Sequence, residues 1–199
     1  LVPAELPTIN GIRISSLFVD NSDMGGDYLD TVVLGKNSVG LFMCDAADAG
    51  VESGILLLEL YSVLHNQPEK MDTPDKMLNA MNWVIATSRY TNRYVPALYC
   101  TYNSNTKEIS LTGAAFNPLV LYNMKKDEFV EFDVKGIPLG LEKNYSYEMK
   151  KIKIAGEIVG FMYSDGIITA VNKNGLAYST GRIKDIIRLN KEDTPAILA

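Results

Sequence analysis

Apolar residues recur along this chain with two periods, and the switches between them divide it into blocks. Ile12, Ile14, Ser16 and Phe18 alternate with their neighbours, so residues 12–20 read as a strand. Two more strands are predicted over 27–34 and 38–44, parted by the turn-rich triplet Gly35-Lys36-Asn37. The run Val39-Gly40-Leu41-Phe42-Met43-Cys44 is apolar on both faces, as a central buried strand would be. From Gly50 the period becomes helical. Val51, Ile55, Leu58 and Tyr61 share one side, Leu57, Leu60 and Leu64 widen that stripe, and Pro68 closes the helix. A second helix opens at Asp72-Thr73-Pro74, a capping residue followed by proline at the first helical position. Met77, Leu78, Met81, Val84 and Ile85 supply its buried face, and the two helices read as a pair packed on a sheet.

Strand patterns then return. Residues 96–102 and 108–113 are joined by Asn103-Ser104-Asn105-Thr106-Lys107, and 119–123 and 128–132 by a turn at Lys125-Lys126-Asp127. Residues 146–154 and 157–163 meet at Ala155-Gly156, and an amphipathic helix over 181–189 turns Ile183, Ile186 and Ile187 inward. Helices grouped apart from antiparallel strands predict an α+β layered fold, not a doubly wound parallel sheet. Residues 1–10, with two prolines and little periodicity, read as a linker from an upstream region, and the absence of an initial Met suggests a piece of something longer.

Composition narrows the function. The 199 residues are 47% hydrophobic and 22% charged, ordinary for one globular domain. Nineteen Lys+Arg against 24 Asp+Glu give a net charge of -5 without a basic block, so the cationic footprint of a nucleic-acid binder is missing. Cys44 and Cys100 lie in apolar runs, which argues against a disulfide framework and for a reducing cytoplasm. The single histidine, His65, argues against a His-rich zinc site or a serine–histidine triad, and reads as helix surface or helix end. No apolar run reaches about 18 residues, the length a membrane span needs.

The candidate chemistry lies in three aspartates, each where a strand meets a glycine-containing turn. Asp27 follows Gly25-Gly26, Asp45 ends the run to Cys44, and Asp165 sits in Ser164-Asp165-Gly166. Each alone is ordinary turn chemistry. Together, as rigid carboxylates at strand ends, they are what a hard-metal site requires, and oxygen-only ligands favour magnesium, manganese or calcium over zinc. Spacing does not show that they converge.

Met24-Gly25-Gly26-Asp27-Tyr28-Leu29-Asp30 resembles the Gly-Gly-Asp-Tyr-x-Asp motif of PPM-type metal-dependent serine/threonine phosphatases, in their SpoIIE/RsbU branch. Asp45 to Gly50 resembles that branch's Asp-x-x-Gly-x-Gly, and Ala114-Ala115-Phe116-Asn117-Pro118 its Ala-Gly-His-Asn-Pro. Gly136-Ile137-Pro138-Leu139-Gly140 and Ser164-Asp165-Gly166-Ile167 are similar to its last two motifs, in the same order. The resemblance implies a four-layer αββα sandwich holding two manganese or magnesium ions. In it Asp45 would bridge the ions with the Ala46 carbonyl, while Asp27 and Asp165 complete the coordination directly or through water. Asp30 ends the first motif without an assigned ligand role. The implied reaction is hydrolysis of phosphoserine or phosphothreonine on a signalling protein, such as a STAS-type anti-anti-sigma factor, by a metal-activated water. An upstream sensor domain also belongs to the resemblance. The apolar faces of the first two helices read as core, with a switch or homodimer surface as the alternative.

The chain departs from the pattern at three places. Asp48 stands at the second motif's first glycine and Phe116 at the histidine. The domain, 11–199, stops before the strand in which the family carries Asp-Asp-x-Thr, and Glu192-Asp193-Thr194 is no substitute. Two other readings therefore stand: a degenerate phosphatase serving as a regulatory or binding module, and a structural α+β domain whose aspartates only make turns.

Overall fold

The computed structural model describes residues 3, 5–19, 26–46, 50–66, 71–88 and 94–190. Among them the chain runs β1 (Asp27–Gly35), β2 (Ser38–Asp45), α1 (Val51–His65), α2 (Pro74–Thr87), β3 (Ala97–Asn103) and β4 (Glu108–Ala114). It continues through β5 (Leu119–Asn123), β6 (Glu128–Phe132), β7 (Lys150–Lys153), β8 (Ile158–Phe161), α3 (Asp165–Thr169) and α4 (Ser179–Leu189). One sheet has the order β1-β2-β3-β4-β7 and the other β6-β5-β8. Every pairing is antiparallel.

Side-chain alternation turns the two sheets into four layers. In β3, Ala97 and Tyr99 pack with Leu56 and Leu60 of α1 and with Met77 and Met81 of α2. Leu98 and Cys100 point the other way and meet Leu119 and Leu121 of β5. Val120 and Tyr122, on the far face of β5, pack against Ile183 and Ile187 of α4. Period two thus gives each central strand a separate core on each face, and the expected αββα sandwich results. Truncating a fully buried member such as Leu60 to alanine costs roughly 2–5 kcal/mol.

Four local expectations need correction. Residues 13–19 keep a strand-like alternation yet form no strand; a lone bridge joins Ile9 to Ile12, and Leu17 and Val19 stay exposed. Alternation makes a strand only where a partner edge lies alongside; Asp20 is outside the described residues. Helix α1 buries Ser53, Leu56, Leu57, Leu60 and Leu64, leaving Val51, Leu58 and Tyr61 exposed. Apolar residues surround this helix, so periodicity selects no single face. The predicted strands 146–154 and 157–163 shrink to β7 and β8, which belong to different sheets, so Ala155-Gly156 carries the chain from one sheet to the other. Helix α4 begins at Ser179, and Ile186 is only half-buried.

Helix α2 starts with Pro74 at its first turn, as expected, and Val84 alone of its predicted face is half-buried. Both cysteines are free and buried, and His65 is the last residue of α1. No helix among the described residues is long and apolar enough to cross a membrane. Pro68 lies outside them.

Candidate metal centre

Asp27 opens β1 and Asp45 ends β2, so the hairpin register sets the two directly opposite each other. Their face follows from the strand period. Tyr28 and Cys44, one residue away, pack beneath α1 and α2, whereas Leu41, four residues before Asp45, joins the core between the sheets. Both carboxylates therefore belong to the inter-sheet side. Asp165 comes from the other sheet, as the first residue of α3 just after β8. It and Asp27 both lie within hydrogen-bonding reach of the Asp45 carboxyl. Burial, then the charges of Asp27 and Asp165, push Asp45 from its ordinary 3.8 up to about 6.

Gly26 and Ala46 close this end of the hairpin. The Ala46 N–H donates to the Gly26 carbonyl at 2.8 Å. A Cβ on Gly26 would collide with the Ala46 carbonyl oxygen and lie 3.5 Å from Asp45 Oδ1, so only glycine leaves this oxygen-lined corner open. Ser164 donates its hydroxyl proton to Asp27 Oδ2 at 2.9 Å, and Asn117 donates to the Tyr163 carbonyl at 3.3 Å. These two donors and Gly26 lie within the quoted motifs, but their individual roles are not legible there.

The acids gather around Asp45 without forming a finished cage. Among the described residues no group of three or more His, Cys, Asp or Glu stands ready to hold an ion. The donor chemistry nevertheless fits a hard divalent cation: carboxylate oxygens and a backbone carbonyl, with no competing imidazole or thiolate. Burial, then the charges of Asp27 and Asp45, raises the Cys44 thiol well above its usual range, so it stays protonated.

The other expected positions are used differently. Asp30 turns to the opposite face of β1, where it is buried and accepts from Tyr28 O–H at 2.7 Å and Thr31 N–H at 2.6 Å. Its Oδ2 also lies 2.8 Å from His65 Nε2, which ties β1 to the end of α1. Phe116 packs against the core between the sheets. Met24, Gly25, Asp48 and the segment Glu192-Asp193-Thr194 lie outside the described residues.

Residues 35–199 match the family described as Stage II sporulation protein E (SpoIIE). This chain belongs to the SpoIIE family. Phosphoserine phosphatase RsbU of Bacillus subtilis (strain 168) is 22% identical over 175 residues, 88% of this chain and 52% of that protein. The chain thus spans about half the length of this curated relative. The SiaA-PP2C domain of Pseudomonas aeruginosa superposes with a TM-score of 0.73 at 16% identity, covering 88% of this chain and 70% of that one. RsbX, solved in complex with magnesium, superposes with a TM-score of 0.67 at 11% identity, covering 90% and 79%. These likenesses establish that the SpoIIE-family sandwich has the PP2C fold.

Proposed function

We propose that this SpoIIE-family chain is a metal-dependent phosphatase acting on phosphoserine or phosphothreonine in a protein. The observation that carries the reading is the meeting of Asp27, Asp45 and Asp165 from three separate segments, with Asp45 raised to about 6 by burial and by the other two. Facing carboxylates are destabilising unless a cation lies between them. In this reading Asp45 and the Ala46 carbonyl would hold two manganese or magnesium ions together with Asp27 and Asp165, the latter two directly or through water. The phosphoserine phosphatase RsbU and the magnesium complex of RsbX support it. Bound, the cations supply charge neutralisation for phosphoryl oxygens and a water of lowered pKa.

The chain's own residues orient and exclude. Cys44 is held protonated, and His65 is bonded to Asp30 on the other face of β1, so neither serves as a nucleophile. Phosphoryl transfer needs positioning and charge stabilisation, which the strand-end aspartates supply. The substrate is a phosphorylated signalling protein, of which a STAS-type anti-anti-sigma factor is the specific candidate. A sensor region outside this segment belongs to the same proposal. So does a homodimer across α1 and α2, whose exposed Val51, Leu58, Tyr61 and Trp83 support it. Buried free cysteines favour a cytoplasmic setting.

The test is manganese-dependent phosphate release from a phosphoserine protein, with Asp45→Asn run in parallel. Turnover that requires manganese and is lost by at least about a hundredfold in the variant is the expected result. Near-normal turnover by Asp45→Asn would sink the proposal. The second reading, a degenerate module that binds without turnover, is favoured by Phe116, which packs against the inter-sheet core at the motif's histidine position. Manganese binding without phosphate release would select it.

A further inference from the structure

Ser164 occupies the N-cap of α3, a place where a serine hydroxyl ordinarily accepts a bond from the helix's own first-turn N–H groups. Here it makes no such bond. Its proton goes instead to Asp27 Oδ2, 2.9 Å away and 137 positions earlier in the chain. The serine hydroxyl donates and the carboxylate oxygen accepts. The link joins the start of β1 in the five-stranded sheet to the segment leaving β8 in the three-stranded one.

We infer that Ser164 is a positioning residue for the metal centre: it sets the orientation of the Asp27 carboxylate from the opposite sheet. This rests on the metal-centre reading above. The terminal torsion of an aspartate is broad, so rotamer preference alone does not aim its two oxygens. A hydroxyl on Oδ2 removes that freedom and fixes the plane of the carboxylate. The donor is itself held in place. Asn117, in the loop between β4 and β5, donates to the carbonyl of Tyr163, the residue just before Ser164. Tyr163 is buried in the core beneath α4. The segment ahead of α3 is thus pinned on both sides, and the serine forgoes its cap bond to orient a carboxylate instead.

Hydrogen-bond partners of metal-ligating carboxylates typically contribute about 10–100-fold to metal affinity. The test is manganese titration of the metal-free protein by calorimetry, without substrate, for wild type and for Ser164→Ala, Ser164→Thr and Ser164→Val. Threonine keeps the hydroxyl and valine replaces it with a methyl of the same shape, so this pair isolates the bond even where alanine loosens the fold. The expected result is weakening of about 10–100-fold in Ser164→Ala and Ser164→Val, with Ser164→Thr close to wild type. Equal affinity of the threonine and valine variants, or wild-type affinity in Ser164→Ala, would overturn the inference while leaving the metal centre intact. Absence of binding by the wild type would remove the metal-centre reading, and this inference with it.

Discussion

Ala115 lies in the left-handed region at φ 54°, at the start of the Phe116-Asn117-Pro118 loop that carries the chain from β4 to β5. A Cβ in that conformation costs roughly 1–2 kcal/mol. Glycine would remove the strain and return about 0.5–1 kcal/mol through the greater freedom of its unfolded chain. Ala115→Gly is therefore expected to stabilise the fold by about 0.5–1 kcal/mol, visible as a higher urea midpoint with an unchanged slope. A lower midpoint would mean that the methyl group is packed usefully enough to outweigh its backbone strain. At this scale the sequence is legible wherever a rule of alternation applies. Asp27 and Asp30 share one motif, but three positions apart on a strand means opposite faces, and so opposite fates. What the sequence conceals is the partner of each polar group. Nothing in Ser164-Asp165-Gly166 says that the hydroxyl reaches β1 rather than its own helix.

Helix α2 is fastened to the long loop after β6 by amides rather than by apolar contact alone. Asn82 is fully buried, accepts from the Gly140 N–H at 2.8 Å, and donates to the carbonyls of Glu142 at 2.9 Å and Lys143 at 3.3 Å. Asn79 accepts from the Tyr147 N–H at 3.0 Å, one turn earlier. The Gly136-Ile137-Pro138-Leu139-Gly140 motif thus belongs to a strap between α2 and the sheet, with Leu139 bridged to Val95. Asn82→Ala would strand those backbone groups without partners and is expected to cost roughly 1–3 kcal/mol, read from chemical unfolding. An unchanged midpoint would show that water replaces the amide. On the sequence Asn82 is only a polar interruption in an apolar helix face. The elements themselves were legible because short hairpins and two-residue alternation are local signals. The buried side of α1 and the sheet membership of β7 and β8 were not, because each is decided by what lies across the molecule.

The sandwich as a whole performs one electrostatic act, the gathering of three acids at one end of its inter-sheet side. That the aspartates end strands is written in the chain; that they meet depends on two sheets stacking in a particular order. The meeting has a thermodynamic signature. Asp45 titrates near 6 in the metal-free fold, above its ordinary 3.8, so the folded state holds that proton more tightly than the unfolded chain. The resulting stabilisation is complete below the ordinary value and is lost as pH rises through about 6. Above that, the ionised carboxylate faces Asp27 and Asp165 unrelieved. The metal-free protein is thus expected to lose thermal stability from this group between about pH 4 and pH 7, the interval that spans the ordinary and the shifted value, and to level off above it. Asp45→Asn, which has no proton to lose, should flatten that decline and melt higher than wild type at the alkaline end. Manganese should reverse the order there by raising the wild-type midpoint and not the variant's, and its effect should fade on acidification as protons compete for the same oxygens. Differential scanning fluorimetry with chelator or manganese at the two pH values measures all of this. Parallel pH slopes in wild type and variant would show that the carboxylates do not repel one another enough to matter, and that no cation is needed to hold this end of the sandwich together.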